Sequence, residues 1–343
     1  MSSPIDPDTL RAQLQPLAAG TPLSAAARSY QAYYGLDLPQ HRDLQHRLGC
    51  FSVHGYQVAA QAWCPAQPVA TLFILHGYYD HMGLYQHVVD WGLRMGFAVL
   101  ACDLPGHGLS SGPRASINEF DEYQAVLAGL MREAETLRLP HPWHLLGQST
   151  GAAIALDYLL AHPDDPRLGR GILLAPLVRP RAWRWSRFSY EVMRHFVKQI
   201  PRQFSENSSD PAFLEFVRSS DPLQPDTLPT AWVGALSRWI PRIEGALRSP
   251  HSPLIVQGEA DMTVDWRYNL PVLERKFTAP EVLYLPGARH HLVNEREAIR
   301  RDYFEFLGDR LSEERITPAA RAWVSLPLVP TARPARSACS AAW

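Results

Sequence analysis

The stretch GQSTG at residues 147–151 lies between an apolar run at residues 143–146 and a helical pattern at residues 152–161. Ser149 therefore stands where a strand turns directly into a helix. Such a turn is so tight that both flanking positions must lack bulk, and its strain lifts the serine hydroxyl clear of the sheet. A serine in a glycine-bounded turn could also simply cap the helix. The nucleophilic interpretation is favoured because a candidate acid and a candidate histidine follow it in the chain.

The composition is that of a globular protein. The chain has 343 residues, of which 46% are hydrophobic, so it can bury a sizeable core. The net charge of -1 does not indicate nucleic-acid binding. Four scattered cysteines are typical of free thiols in a reducing compartment. We find neither a signal-peptide pattern nor an apolar run of about 18 residues, and we predict a cytoplasmic protein, with peripheral membrane contact as a further expectation.

Strand and helix patterns alternate along most of the chain. Two alternating runs flank His54-Gly55 and predict a hairpin. Ser116-x-x-Glu119 predicts a capping box for the helix that follows it. Six uninterrupted apolar runs are typical of parallel strands buried on both faces; they lie at residues 69–75, 97–102, 143–146, 171–174, 254–256 and 282–285. The pattern predicts an α/β protein with a mostly parallel central sheet flanked by helices.

The same patterns divide the chain into five parts. Residues 1–46 hold two short helical patterns and are predicted to form an N-terminal helical extension. Residues 47–176 and 251–312 are the two parts of the α/β core. Between them, at residues 177–250, the alternation stops and aromatic residues crowd together, which predicts an inserted helical cap. Residues 313–343 are rich in alanine, arginine and proline and are predicted to form a low-complexity C-terminal tail.

Several separate motifs share one order along the chain. They are His76-Gly77 with Asp80-His81, the glycine-rich turn from Asp103 through His107 to Gly112, Ser220-Asp221-Pro222-Leu223, Gly258 to Asp261, and Gly287 to His290. Together with the serine turn, this set resembles the monoacylglycerol lipase and lysophospholipase branch of the α/β-hydrolases, over residues 51–310. The resemblance implies an α/β-hydrolase fold with a helical cap and a serine ester hydrolase that needs no cofactor.

The chemistry of acyl transfer and this resemblance assign three candidate catalytic residues. Ser149 would attack the ester carbonyl, His290 would take its proton, and Asp261 would hold the imidazole tautomer. Asp261 follows a predicted strand at the carboxyl edge of the sheet, where open α/β sheets carry their sites. Asp265 is the alternative acid. Of the adjacent pair His290 and His291, the family's Gly-Ala-x-His spacing selects the first.

An oxyanion hole is predicted from the backbone N–H groups of Tyr78 and Thr150. Gln148 and Thr150 stand where the family commonly has histidine and methionine, and Tyr78 stands where a small residue is usual, so we expect a reshaped acyl pocket. Asp103 and His107 are assigned to ordering their glycine-rich turn. The predicted substrate-binding residues are His76, Gly77, Gln148 and His291.

Two rival functions have some support in the sequence. His76-x-x-x-Asp80-His81 overlaps a zinc-hydrolase signature, but Tyr78 replaces its middle histidine and no other histidine has the spacing of a companion ligand. We therefore predict no metal and no cofactor. A non-catalytic binding module is the second rival, because fold does not determine function. The complete set of serine, aspartate and histidine argues against it.

The predicted cap indicates the substrate class. Residues 179–202 carry six arginines, one lysine and one acidic residue, interleaved with aromatic residues. One interpretation is an amphipathic helix that buries its aromatic side chains. A basic, aromatic surface over a site also suits a single-chain lipid with an anionic headgroup, or the membrane that supplies it. We expect a lysophospholipid or monoacylglycerol, with a small ester or an N-terminal peptide bond as alternatives.

Overall fold

An eight-stranded sheet forms the centre of the molecule. The computed structural model describes the backbone of residues 5–324 and the side chains of residues 5–313. The strands in that part of the chain are β1 (Gln45–Val53), β2 (Tyr56–Cys64), β3 (Ala70–Leu75), β4 (Phe97–Cys102), β5 (Trp143–Gln148), β6 (Leu168–Leu174), β7 (Gln199–Pro201), β8 (Thr227–Pro229), β9 (Leu254–Gly258) and β10 (Glu281–Leu285). The sheet has the order β1-β2-β4-β3-β5-β6-β9-β10, and β7 pairs with β8 alone. Within the eight-stranded sheet, β2 pairs antiparallel with β1 and with β4, and all other neighbouring strands are parallel.

The predicted hairpin and buried strands are present. His54 and Gly55 have φ angles of 50° and 80°, the left-handed values that a two-residue hairpin turn requires. Along β3, successive side chains alternate between the two faces of the sheet: Phe73 packs in one core cluster, whereas Leu72 and Ile74 pack in the other. Because both faces are covered, the strand has no position for an exposed polar residue; its sequence is apolar except for the buried Thr71, whose hydroxyl donates to the carbonyl oxygen of Pro140.

Helices cover both faces of the sheet. In chain order they are α1 (Pro7–Gln13), α2 (Ala25–Tyr34), α3 (Gln86–Arg94), α4 (Asp121–Thr136), α5 (Thr150–Ala161), α6 (Trp183–Met193), α7 (Pro211–Ser219), α8 (Thr230–Gly245), α9 (Trp266–Lys276) and α10 (Glu297–Val324), with short 3₁₀ turns at Leu17–Ala19, Met82–Tyr85 and Leu292–Asn294. Side chains of α4, α5, α8 and α9 contribute to one core cluster. Side chains of α2, α3 and α10 contribute to the other.

The predicted capping box is wrong. Helix α4 begins at Asp121, and no side chain caps it from the preceding residue. Glu122, inside the first turn, accepts the backbone N–H groups of Asn118 and Glu119 at 2.8 and 2.9 Å. The chain enters the helix later than the Ser-x-x-Glu pattern implies. The carboxylate that meets the free N–H groups is therefore that of Glu122 and not that of Glu119.

The N-terminal residues pack closely against the α/β core. Leu10 of α1 and Tyr30 and Tyr34 of α2 are buried in the second core cluster. The amide of Gln31 donates a hydrogen bond to Gln61 of β2 at 2.6 Å. Burying an apolar side chain such as that of Leu10 contributes on the order of 2 kcal/mol to the free energy of unfolding. The segment predicted as an extension is thus a covering layer of the sheet in this structure.

The segment between β6 and β9 carries α6, α7 and α8 together with the short β7–β8 pair, which the sequence did not predict. Helix α8 is firmly attached to the core: the indole of Trp239 donates to Asp157 of α5 at 2.9 Å and stacks on Phe120. Helix α6 has a different character, since Trp183 is its one buried residue. This segment therefore presents an anchored helix and an exposed one.

At the C-terminal end, helix α10 continues to Val324, beyond the boundary predicted at residue 313. The remaining part of the predicted tail, residues 325–343, lies outside the described residues, as does Cys339. The other three cysteines, Cys50, Cys64 and Cys102, are free thiols. Within the described chain, no helix combines the length and the apolar character needed to cross a bilayer.

Candidate active site

Ser149 occupies a strained corner between β5 and α5. Its φ is 54° and its ψ is -108°, a backbone region that residues other than glycine rarely adopt. The flanking glycines allow the chain to close this turn. A Cβ on Gly147 would collide with the backbone of Gly151, and a Cβ on Gly151 would collide with the carbonyl group of Leu75. The structure therefore contains the strand-to-helix turn that the pentapeptide predicts.

The imidazole of His290 is paired with the carboxylate of Asp261. Nδ1 lies 2.7 Å from Oδ2, and because an ionised carboxylate can only accept, Nδ1 carries the proton and Nε2 remains the basic nitrogen. The other oxygen of Asp261 accepts the N–H groups of Thr263 and Val264. Burial alone would raise the pKa of Asp261, but the interaction with His290 and these backbone donors outweighs burial and holds that pKa below its usual range.

One cavity of about 300 Å³ between the core and the cap is lined by both Ser149 and His290. Asp265, the alternative acid, lies at the start of α9, where its backbone N–H donates to the carbonyl of Arg179. Asp261 is the carboxylate that meets His290. The same cavity is lined by five further residues that the sequence predicted for the oxyanion hole or for substrate binding: Gly77, Tyr78, Gln148, Thr150 and His291.

Two backbone N–H groups border the cavity without a protein acceptor. Among the described residues, neither the N–H of Tyr78 nor that of Thr150 donates a hydrogen bond. Thr150 is the first residue of α5, and the first N–H groups of a helix lack intrahelical partners and carry its partial positive charge. The ring of Tyr78 stacks on Trp232 of α8 with centroids 3.9 Å apart. The bulky residue at position 78 therefore joins the core to the cap.

A buried chain of hydrogen bonds connects the loop after β3 with the histidine loop. The N–H of Gly77 donates to the hydroxyl of Tyr85 at 2.8 Å, and this hydroxyl donates to Asp80 at 3.0 Å. Asp80 also accepts from Nε2 of His291 at 3.1 Å. Burial opposes ionisation of Asp80, but His291 outweighs it and lowers the pKa of that carboxyl. His291 is therefore buried against the cavity and does not reach solvent.

Three buried polar atoms at the cavity have no partner among the described residues. They are Oε1 of Gln148, Oγ1 of Thr150 and Nδ1 of His291. The amide nitrogen of Gln148 is already used, since it donates to the backbone carbonyl of His290 at 2.8 Å. Buried polar groups without partners are costly. Each of these atoms is closed off from solvent in this structure, so their residues line the cavity while the atoms themselves are not presented to a bound molecule.

The structure corrects the prediction that His76 binds substrate. His76 is fully buried, and the residues that line the cavity do not include it. Its Nδ1 lies 2.7 Å from the carbonyl oxygen of Gly77, and its Nε2 accepts the N–H of Leu104 at 2.8 Å. The imidazole therefore fastens the loop after β3 to the turn after β4. The sequence motif placed His76 near the site but could not show which way its ring points.

The glycine-rich turn after β4 is held by its own polar residues, in line with the structural role predicted for them. The two carboxylate oxygens of Asp103 accept the N–H groups of Met82 and Leu109, each at 2.7 Å. Nδ1 of His107 lies 2.9 Å from the carbonyl oxygen of Pro105. These contacts satisfy backbone groups that a tight turn leaves unpaired.

The contacts of the histidines also bear on the rival zinc site. Both ring nitrogens of His76 contact backbone groups, Asp80 contacts His291, and His81 contacts Asp221. The three candidate ligands thus point to three different partners. Among the side chains that the structure describes, no group of three or more histidine, cysteine or acidic residues is arranged to hold a metal ion.

A buried ion pair joins the cap to the core. Nε2 of His81 lies 2.9 Å from Asp221, and the hydroxyl of Tyr34 donates to the same carboxylate at 2.8 Å. Burial opposes both charges, but their mutual attraction lowers the pKa of Asp221 to about 2 and raises the pKa of His81. The stabilisation from Asp221 is lost as the pH falls through about 2, and that from His81 as the pH rises through its raised pKa. The sequence motifs contained both residues but did not pair them.

The residues that the cap contributes to the cavity were also missed by sequence analysis. Composition showed a segment rich in arginine and aromatic residues, but periodicity did not show which of them face inward. The cap side of the cavity includes Arg202, Phe204, Phe213, Val217, Gln224 and Trp232.

Comparisons with known proteins agree with this architecture. Residues 66–297 match the family model described as serine aminopeptidase, S33. A monoacylglycerol lipase from Mycolicibacterium smegmatis is 26% identical over 258 residues, which cover 71% of this chain and 90% of that protein. Phospholipase YtpA from Bacillus subtilis is 32% identical over 114 residues, 33% of this chain and 43% of that protein, so the chain spans less than half of that relative.

The fold also matches solved structures. A soluble variant of the monoglyceride lipase from Saccharomyces cerevisiae, in complex with a substrate analogue, superposes with a TM-score of 0.65 at 16% sequence identity. The match covers 78% of this chain and 94% of that one. At this identity the likeness establishes the α/β-hydrolase fold and leaves the substrate open.

Proposed function

Because this chain belongs to the serine aminopeptidase, S33, family of α/β-hydrolases, we propose that it hydrolyses carboxylic esters of single-chain lipids through an acyl-enzyme on Ser149. One observation carries the proposal: His290, paired with Asp261 at 2.7 Å, lines the same cavity as the strained Ser149. This arrangement offers a nucleophile, a base and a carboxylate that fixes the tautomer of the base.

In the proposed mechanism, Nε2 of His290 takes the proton of Ser149 as its Oγ attacks the ester carbonyl. The imidazolium that forms is stabilised by the ionised carboxylate of Asp261. The oxyanion of the tetrahedral intermediate accepts from the N–H groups of Tyr78 and Thr150. His290 then donates the proton to the departing alcohol, and a water molecule, activated by the same imidazole, releases the acyl group.

The choice of a single-chain lipid rests on the relatives and on the walls of the cavity. A relative that matches 71% of the chain is named monoacylglycerol lipase, and one that matches 33% of it is named phospholipase. The cavity is lined by apolar side chains such as those of Leu177 and Val217 and by the polar residues Gln148, Thr150 and His291. Such walls suit a molecule with an apolar chain and a polar end. A small-ester esterase and an aminopeptidase-like hydrolase are the alternatives.

A hydrolysis panel tests this substrate class. We expect lysophospholipids and monoacylglycerols to give a higher kcat/KM than p-nitrophenyl esters of short acids, and aminoacyl amides to give the lowest. The reason is that binding of the remote acyl chain can be used to lower the barrier at the reacting ester. Initial rates would be compared below the aggregation concentration of each lipid. The highest kcat/KM on aminoacyl amides would instead establish the aminopeptidase alternative.

We also propose that α6 brings the enzyme to a membrane surface. The exposed fractions of Trp185, Phe188 and Phe196, on α6 and just after it, are 70%, 60% and 86%. Arg184 and Arg187 are exposed on the same helix. Exposed aromatic residues among basic ones are typical of helices that lie in the interface of a bilayer. The helix is part of the cap, so this contact would place the cavity close to its lipid substrate.

Replacement of Arg181, Arg184 and Arg187 by alanine should weaken activity on anionic vesicles by roughly 10- to 100-fold, because each surface charge contributes about 1 kcal/mol to binding an anionic bilayer. Activity on a soluble short-chain ester should change little, and the vesicle defect should shrink in high salt. Arg132→Ala, at an exposed site on α4, is the matched control. Equal losses on vesicles and on the soluble ester would show that these arginines support the cap and do not bind membrane.

A further inference from the structure

Arg202 is a cation at the wall of the catalytic cavity. It directly follows β7 and lines the same cavity as Ser149 and His290. Its guanidinium lies between two aromatic rings, 4.2 Å from the centroid of Tyr79 and 4.3 Å from that of Phe204. Stacking of this kind fixes the plane of the guanidinium while leaving its edges free for hydrogen bonds.

The hydrogen-bond partners of Arg202 are neutral. Nη1 donates to Oε1 of Gln224 at 2.6 Å and to the carbonyl oxygen of Pro225 at 3.1 Å. Among the described side chains, no carboxylate lies within ion-pair distance of Arg202, and its Nε and Nη2 make no hydrogen bond. Arg179 shows the contrast, since its guanidinium contacts Glu244 at 2.6 Å. Arg202 is thus oriented by the cap and retains donors for another molecule.

The two carboxylates whose charges act on Arg202 are each hydrogen-bonded to another residue. Burial lowers the pKa of Arg202, and the charges of Asp80 and Asp221 act against this shift. Asp80 is hydrogen-bonded to His291, and Asp221 to His81. Arginine stays protonated even when burial lowers its pKa. A partly desolvated positive charge without an ionic partner is unfavourable unless an anion neutralises it.

We propose that Arg202 binds an anionic group of the substrate, a phosphate or a carboxylate, and that the cavity therefore selects esters that carry such a group near the scissile bond. This inference rests on the proposed ester hydrolysis at Ser149 and narrows its substrate class. The planar fork of Nε and Nη2 matches two oxygens of a phosphate or a carboxylate. The exposed arginines of α6 act on the membrane surface, whereas Arg202 acts inside the cavity.

Two pairs of soluble esters separate the two sources of negative charge. The phosphate arm compares 1-octanoylglycerol with 1-octanoylglycerol 3-phosphate. The carboxylate arm compares p-nitrophenyl butyrate with the mono-p-nitrophenyl ester of glutaric acid. Each pair is measured below its aggregation concentration with wild type, Arg202→Met, Arg202→Lys and Arg132→Met. Methionine keeps an apolar stem between the two rings, lysine keeps the charge without the fork, and Arg132→Met is the control at an exposed site.

We expect wild type to prefer the anionic member of at least one pair. Arg202→Met should lower the ratio of kcat/KM between the anionic and the neutral ester about 10- to 100-fold, in line with the strength of hydrogen bonds between charged groups. Arg202→Lys should retain part of the preference, and Arg132→Met all of it. Because the site is partly buried, the effect should persist in high salt, unlike the defect on vesicles.

Three results would overturn the inference. The first is a wild-type ratio near one in both pairs. The second is an equal loss on anionic and neutral esters in Arg202→Met, which would mean that Arg202 only holds the cap. The third result comes from inhibition of the wild type, which can be measured even if Arg202→Met does not fold. Butyl phosphate and butyrate should compete with the substrate better than butanol does. Equal inhibition by all three compounds would contradict an anion site. Absence of hydrolysis of all four esters by wild type would instead contradict the proposed function.

Discussion

Ser149→Ala should fold normally and lose ester hydrolysis by roughly 10⁴- to 10⁶-fold in kcat, the range seen when the nucleophile of a serine hydrolase is removed. Folding should be unaffected because alanine also has a Cβ, so the left-handed backbone at this position becomes no more strained than it is with serine. An organophosphonate probe should label the wild-type protein at Ser149 and leave the variant unlabelled. Mass spectrometry of the labelled peptide measures this directly.

The control is a serine of the same chain outside the site. Ser219→Ala, at the exposed end of α7, should retain full activity and full labelling. A chelator should leave the activity of wild type unchanged. Undiminished turnover by Ser149→Ala would contradict the serine mechanism, and loss of activity on chelation in that case would establish the metal-dependent alternative.

His290→Ala should cost about as much as Ser149→Ala, whereas His291→Ala should retain activity on a small ester within about tenfold. The rings of these neighbours have different partners: His290 contacts Asp261, and His291 contacts Asp80. Residues that act as one catalytic unit lose nearly the whole effect when any one of them is removed. Rates of p-nitrophenyl butyrate hydrolysis by the two purified variants, with thermal unfolding as a check on folding, measure the difference.

His291→Gln is the companion variant, because its amide can still donate to Asp80. It should fold at least as stably as His291→Ala, which leaves one acceptor of a buried carboxylate unfilled. Losses in the reverse order, large at His291 and small at His290, would show that the catalytic histidine lies one residue later than proposed.

Much of the sheet was predictable because the relevant physics is local. A strand buried on both faces is apolar at most positions, so β3, β4 and β9 were visible as largely apolar runs, with Thr71 and Gln257 as buried polar exceptions. The hairpin at His54-Gly55 was predictable for a similar reason, since two residues with positive φ must lie between the strands.

The errors occurred where a local pattern depended on a distant contact. The capping box was misplaced because the start of α4 depends on how the preceding turn packs, and Glu122 meets the free N–H groups. The sequence predicted that His76 binds substrate because its motif lies beside the site. Its ring direction is decided by the N–H of Leu104, on another strand connection.

By itself, the sequence determined the α/β class, the sharp turn at Ser149 and the order in which serine, acid and histidine follow along the chain. Steric demands and hydrophobic periodicity act over a few residues and are legible without coordinates. The tertiary structure alone decided which titratable side chains meet: His81 meets Asp221 across 140 positions, and His291 meets Asp80 across 211. It also decided that Arg202 meets no carboxylate among the described side chains. The contacts of Asp221 and Arg202 depend on how the cap packs on the core, whereas the contact of His291 with Asp80 depends on how two core loops meet. Burial makes an unpaired charge at any of these places costly.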